Sequence, residues 1–197
     1  MTTTYNLGTA ADQLSTLVKG VEDENLDRAT PCTEYTVRDL LGHIIGLTVA
    51  FANAARKQGS TDAPSGSPGD LVTGDWRARI DAQLADLAQA WRDPAAWEGM
   101  TSPGGVEVPA ELAGKIALNE LVLHGWDLAV ATGQPFSCDE DSARASLEFT
   151  SLVNSPEWGV GREGLFSEVV EVPADASPLH RTLGLSGRDP GSTLTLP

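Results

Sequence analysis

Three side chains able to do acid–base or metal chemistry fall on one face of an otherwise apolar segment. Residues 116–130 read IALNELVLHGWDLAV, which places Glu120, His124 and Asp127 at i, i+4 and i+7. At about 100° per residue these three share roughly a 60° arc of a helix. Ile116 and Leu123 project into or beside the same arc, so it is not a plain solvent face. A carboxylate buried there must be paired or must bind a cation, because an isolated one is strongly destabilising.

A second segment offers the partner. In residues 40–47 (LLGHIIGL) His43 is the only strongly polar side chain. Neighbouring bundle helices lie about 8–10 Å apart, close enough for an imidazole on one to meet a carboxylate and an imidazole on the other. His43, Glu120 and His124 would then form a His₂Glu set, which leaves coordination positions open as catalytic zinc sites do. Gly42 and Gly46 are expected to leave room for a bound molecule beside it. Plainer readings stand next to this one. Asp39, four residues before His43, can satisfy it as an ordinary core histidine, and a Glu/His pair at i, i+4 is common on helix surfaces. Both weaken together, because the chain has only three histidines and two of them sit in its two most apolar segments.

Asp127 reads as the partner of a ligand imidazole, with a general base or a capping charge as the other readings. Cys32 reads as a loop residue rather than a ligand, His180, beside Arg181, as surface-exposed, and Trp91 and Trp126 as core or pocket wall. The sequence contains no Walker A motif, no GxSxG, no HExxH and no GxGxxG after a strand.

The elements that must position these groups are helical. Leu7, Ala10, Ala11, Leu14, Leu17 and Val18 recur at three- and four-residue steps and predict a helix over about residues 6–20. Thr36 and Asp39 form a capping-box pattern for a second helix over 37–56, apolar on nearly every side and therefore central. Residues 58–70 (QGSTDAPSGSPGD) read as a mobile linker, and a third helix follows over about 73–92. Residues 97–108 suggest a small hairpin. Pro109 should open a fourth helix that Gly133 closes. A fifth helix covers about 140–154, and a short one about 179–185. The pattern predicts an all-α, up-and-down four-helix bundle over residues 1–155 with a carboxy-terminal extension over 156–197.

Composition narrows the function classes. With 13 basic and 28 acidic residues the net charge is −15, a field that repels phosphate backbones and anionic lipid surfaces. No nucleic acid and no membrane is expected as a partner. Cys32 and Cys138 are too few and too far apart for a disulfide framework or a CxxC module. The amino terminus carries no basic region leading into an apolar core, so a cytoplasmic protein is expected.

Two stretches resemble a known family. Thr30-Pro31-Cys32 with Tyr35-Thr36-Val37-Arg38-Asp39-Leu40-Leu41-Gly42-His43 is similar to the second-helix signature of actinobacterial metal-binding proteins of the DinB-like superfamily. Residues 120–129 (ELVLHGWDLA), closing at Thr132-Gly133, resemble that group's metal-binding helix. The tail, from VEVPAD at 170–175 to GRDP at 187–190, is similar to the end of its single-domain members. The group includes the amino-terminal domain of mycothiol-dependent maleylpyruvate isomerase.

The resemblance implies a divalent metal, zinc first and nickel or iron as alternatives, on His43, Glu120 and His124. It also implies water or the thiolate of a small thiol such as mycothiol at the open position. A bound cation lowers the pKa of a coordinated thiol. The expected activity is therefore thiol transfer or isomerisation, with a small-molecule thiol and an electrophilic substrate as partners. The alternative is a non-catalytic metal-binding module serving as sensor, store or interaction domain. A homodimer stays open.

Overall fold

Helix boundaries in the computed structural model, which describes residues 4–59, 66–158, 162 and 164–192, follow the local start and stop chemistry. The helices are α1 (Gly8–Lys19), α2 (Val37–Ala55), α3 (Trp76–Ala90), α4 (Ala110–Thr132), α5 (Glu140–Val153) and α6 (Pro178–Leu185). At the start of α2 the Thr36 hydroxyl accepts the Asp39 N–H at 3.2 Å, and the Asp39 carboxylate accepts the Thr36 N–H at 3.2 Å. Asp75, Asp139 and Ser177 cap α3, α5 and α6 in the same way. Each cap satisfies a donor that the first turn leaves unpaired and contributes about 1 kcal/mol. Gly133 ends α4 with a φ of 68°, a left-handed geometry that glycine adopts without strain.

The bundle forms because α1 packs on α3 and α4, and α2 packs on α3 and α4. The ring therefore runs α1, α3, α2, α4, and sequence neighbours α1 and α2 are not each other's main partners. The connections after α1 and after α3 therefore cross the diagonals of the bundle. The second of these carries a turn of tight helix at Pro94–Trp97 and an antiparallel pair, β1 (Met100–Thr101) with β2 (Val108–Pro109). Leu14, Leu17, Leu41, Ile44, Leu84 and Leu118 meet in the centre, almost fully buried. The protein is all-α apart from that small hairpin, as the periodicity predicts. No helix among the described residues is long and apolar enough to cross a membrane.

Helix α5 packs on the outer side of α4, and α6 packs on α5. With α1, α2 and α5 around it, α4 has no solvent-facing apolar stripe, which accounts for hydrophobic residues on every side of it. A second, smaller apolar cluster of Leu123, Trp126 and Leu183 joins α4 to the carboxy-terminal segment.

Three local expectations change. Pro109 ends β2, opposite Met100, and α4 begins one residue later, because the proline backbone is extended there. Residues 60–65 of the expected linker lie outside the described residues, but its end is built in: Pro68–Leu71 forms a tight helical turn packed on α2. That turn also fills the space expected beside Gly42. A Cβ at Gly42 would sit 1.8 Å from the Pro68 carbonyl oxygen, so the glycine admits the protein's own backbone and not a ligand. At Gly46 none of the described residues lies within 4 Å of the equivalent point.

Candidate metal centre

The α2–α4 contact brings the two histidines and the glutamate together. His43 Nε2 and His124 Nε2 each lie 3.1 Å from the same oxygen of Glu120, Oε2. One donor atom from each of the three residues lies within 4.8 Å of the other two. The imidazole rings are nearly perpendicular, 83°, with centroids 4.9 Å apart. Three donors converging on one point, two imidazole nitrogens and one carboxylate oxygen, suit a divalent cation of the zinc type.

Depth is graded across the set. The His124 side chain is 9% exposed, Glu120 23% and His43 32%, so the centre opens toward solvent on the His43 side. The Tyr35 ring packs against His43 at 5.4 Å and walls that opening. Asp39 does not reach His43. Its carboxylate is spent on the Thr36 cap and on the Ser67 hydroxyl at 3.1 Å, which removes the plainer reading of His43 as a core histidine satisfied by its own helix.

Asp127 sits behind the set, fully buried, with its Oδ2 3.1 Å from His124 Nδ1. Both carboxylates accept, so without a metal the ring donates from Nδ1 to Asp127 and from Nε2 to Glu120. Asp127 also receives both arms of a guanidinium: Arg188 Nε at 2.8 Å on Oδ1 and Nη2 at 2.7 Å on Oδ2. Burial alone would raise the Asp127 carboxyl, but the charge and hydrogen bonds of Arg188, then of His124, outweigh it and lower its pKa.

The same contest decides the other two groups. For Glu120, burial pushes upward, yet the hydrogen bonds and charges of His124 and His43 hold the carboxyl well below the usual range. For His124, burial pushes downward, and the hydrogen bonds and charges of Asp127 and Glu120 overcome it, raising the imidazole to about 9. The carboxylates thus carry a surplus of negative field that draws a cation to this point, a proton or a metal.

Of the remaining sequence candidates, His180 is exposed and far down the tail, as expected. Cys32 is a half-buried loop residue whose carbonyl accepts from the Thr30 hydroxyl and the Tyr35 N–H. Burial and then the charge of Asp127 push its thiol up, so it is not a ready thiolate. Trp91 is core, and Trp126 belongs to the second apolar cluster. Sequence reasoning missed Arg188 and gave Tyr35 no role. The one available signal for Arg188 was Asp127 itself, a buried carboxylate in need of a cation from outside its helix.

The chain resembles known proteins in sequence and in fold. Residues 7–129 match the family model described as Mycothiol maleylpyruvate isomerase N-terminal domain. Two uncharacterised proteins of Mycobacterium tuberculosis, MT0763 from strain CDC 1551 and Rv0738 from strain H37Rv, are each 29% identical over 184 residues. Those alignments cover 91% of this chain and 93% of each relative. The crystal structure of the mycothiol-dependent maleylpyruvate isomerase superposes with a TM-score of 0.57 at 18% identity, over 75% of this chain and 70% of that one. A mutant of that enzyme gives 0.57 at 16% identity, over 73% of this chain and 66% of that one. At these identities the superpositions show a shared fold.

Proposed function

The chain belongs to the mycothiol maleylpyruvate isomerase N-terminal domain family, and we propose that it holds a divalent metal on His43, Glu120 and His124 and activates a small thiol there. In this reading residues 1–155 form the metal-binding bundle and 156–197 an extension packed on it. The carrying observation is the convergence of both Nε2 atoms on one oxygen of Glu120. Zinc fits the two imidazoles and one carboxylate best, and the family makes mycothiol the first thiol to test.

Charge supports a thiolate as the incoming ligand. With His124 neutral, as a metal ligand must be, Glu120 and Asp127 against Arg188 leave one negative charge in the buried network. A divalent cation converts that to one positive charge, which a single anionic ligand neutralises; a neutral ligand would leave the charge buried. When bound, the cation would lower the pKa of a coordinated thiol and so supply a nucleophile at neutral pH.

The protein's own groups set the geometry. Asp127 keeps the His124 proton on Nδ1 and leaves Nε2 free for the metal-facing side. Tyr35 flanks the more exposed His43, the side on which the centre opens toward solvent. Addition of the thiolate sulfur to an electrophilic double bond would form a C–S bond as the π bond breaks; uptake of a proton at the neighbouring carbon gives S-transfer, and bond rotation followed by expulsion of the thiolate gives isomerisation. We place the reaction in the cytoplasm, where the free thiols Cys32 and Cys138 would stay reduced.

Titration of the cobalt-substituted protein with mycothiol tests this reading. A thiol-dependent change in the cobalt absorption bands, saturating near stoichiometry, supports it. A stoichiometric cobalt site whose spectrum ignores thiols would instead make the protein a metal-binding module without this chemistry.

A further inference from the structure

We propose that Arg188, from the carboxy-terminal segment, is a positioning residue for the metal centre, so that docking of the tail and binding of the metal are one linked equilibrium. The metal half of this rests on the function proposed above. The positioning half rests on the protein alone.

The arginine is delivered by a built turn. Helix α6 ends at Leu185, and Ser186 and Gly187 follow. The Gly187 N–H donates to the Gly184 carbonyl at 3.1 Å and the Arg188 N–H to the Leu183 carbonyl at 2.9 Å. These two bonds are the pair that closes a helix in a Schellman motif, with Arg188 in the position that commonly holds an apolar residue. Gly187 has a φ of 82°. A Cβ there would lie 2.7 Å from the Ser167 Cβ and 2.8 Å from the Glu168 carbonyl oxygen, so only glycine suits the turn.

From that turn the side chain runs into the bundle. Arg188 is 8% exposed and Asp127 0%. The guanidinium meets both carboxylate oxygens of Asp127, and a third bond, 3.3 Å to the Ser186 carbonyl, ties it to its own turn. A two-point contact fixes the plane of the carboxylate, which a single point charge would not. The fixed Oδ2 then sets the rotation of the His124 ring through Nδ1. The chain of contact therefore runs from α6 through Arg188, Asp127 and His124 to Glu120. Whatever favours the ordered ring favours the docked tail, and by linkage the reverse holds equally.

The test uses the full-length protein, with Zn²⁺ as probe. Arg188→Lys keeps the charge and loses the fork. It is expected to weaken Zn²⁺ binding about ten- to a hundredfold. It should also abolish the slowly exchanging His124 Nδ1–H signal expected by NMR from the metal-free wild type. Gly114→Ala, which destabilises the opposite end of α4, serves as the control for general loss of stability and should leave both readouts unchanged. In the wild type, Zn²⁺ should slow hydrogen exchange at the Gly187 and Arg188 amides. An Arg188→Lys protein that keeps the Nδ1–H signal and binds Zn²⁺ within about twofold of wild type would overturn the proposal. Should that variant not fold, wild-type exchange decides: slowing in α4 without slowing at Gly187 and Arg188 overturns it as well. If the wild type binds no Zn²⁺, the proposed function falls, while the Nδ1–H signal still decides whether Arg188 positions His124.

Discussion

Helix α4 is buried at both ends, by opposite means. Its first turns close over indole rings. Trp91 and Trp97 meet edge to face at 4.8 Å, and Gly114 lets the helix approach them so closely that a Cβ there would lie 2.3 Å from the Trp97 ring. The two indole N–H groups donate to the backbone carbonyls of Phe51 and Trp91, so nothing polar is left over. Its later turns instead bury Glu120, His124 and Asp127, and partners come from α2 and from the tail. The first end is held by shape, the second by charge balance. A shape defect costs in proportion to the misfit, whereas removal of one partner from a charge network strands another.

That contrast breaks most sharply at Arg188. Arg188→Met leaves the buried Asp127 charge with only the His124 ring as partner and should cost about 3–5 kcal/mol in urea unfolding. Replacing both, Arg188→Met with Asp127→Leu, should recover part of that loss, because no carboxylate is stranded and only the His124 Nδ1–H loses its acceptor. At the aromatic end Gly114→Ala should cost less, about 1–3 kcal/mol by the same measurement, with Zn²⁺ affinity unaltered. If the double variant were no more stable than Arg188→Met, charge balance would not be what holds the second end.

A finer separation comes from pH. His124 keeps its proton up to about 9 in the metal-free protein, so a metal binding below that pH must displace it. Zn²⁺ affinity should therefore rise about tenfold per pH unit on approach to that value and flatten above it. Calorimetry in buffers of different ionisation enthalpy would count the released proton. The Gly114→Ala protein should show the same slope, since the aromatic end carries no titrating group into the site.

How much of this was legible in the sequence differs between the same two ends. The apolar composition of α4 and the spacing of Glu120, His124 and Asp127 are local properties, and they place the polar stripe on one arc without knowledge of any partner. The capping box at Thr36 and Asp39 is equally local. Its consequence is not: once Asp39 serves the cap and Ser67, it is lost to His43, and only the assembled structure shows the His43 imidazole turned to Glu120. The filling of Gly42 by Pro68 depends on a turn inside a Gly/Pro/Ser-rich stretch whose composition reads as linker. Arg188 lies 61 residues from Asp127, beyond the reach of any periodicity. A glycine after α6 marks the turn, but nothing local says where the following side chain goes.

Metal content tests most directly whether His43, Glu120 and His124 form a metal site. Protein purified without added metal should carry close to one equivalent of a transition metal by elemental analysis, and the His124→Ala protein about a tenth of that or less. Wild-type protein with only traces of metal, unchanged by His124→Ala, would contradict the account.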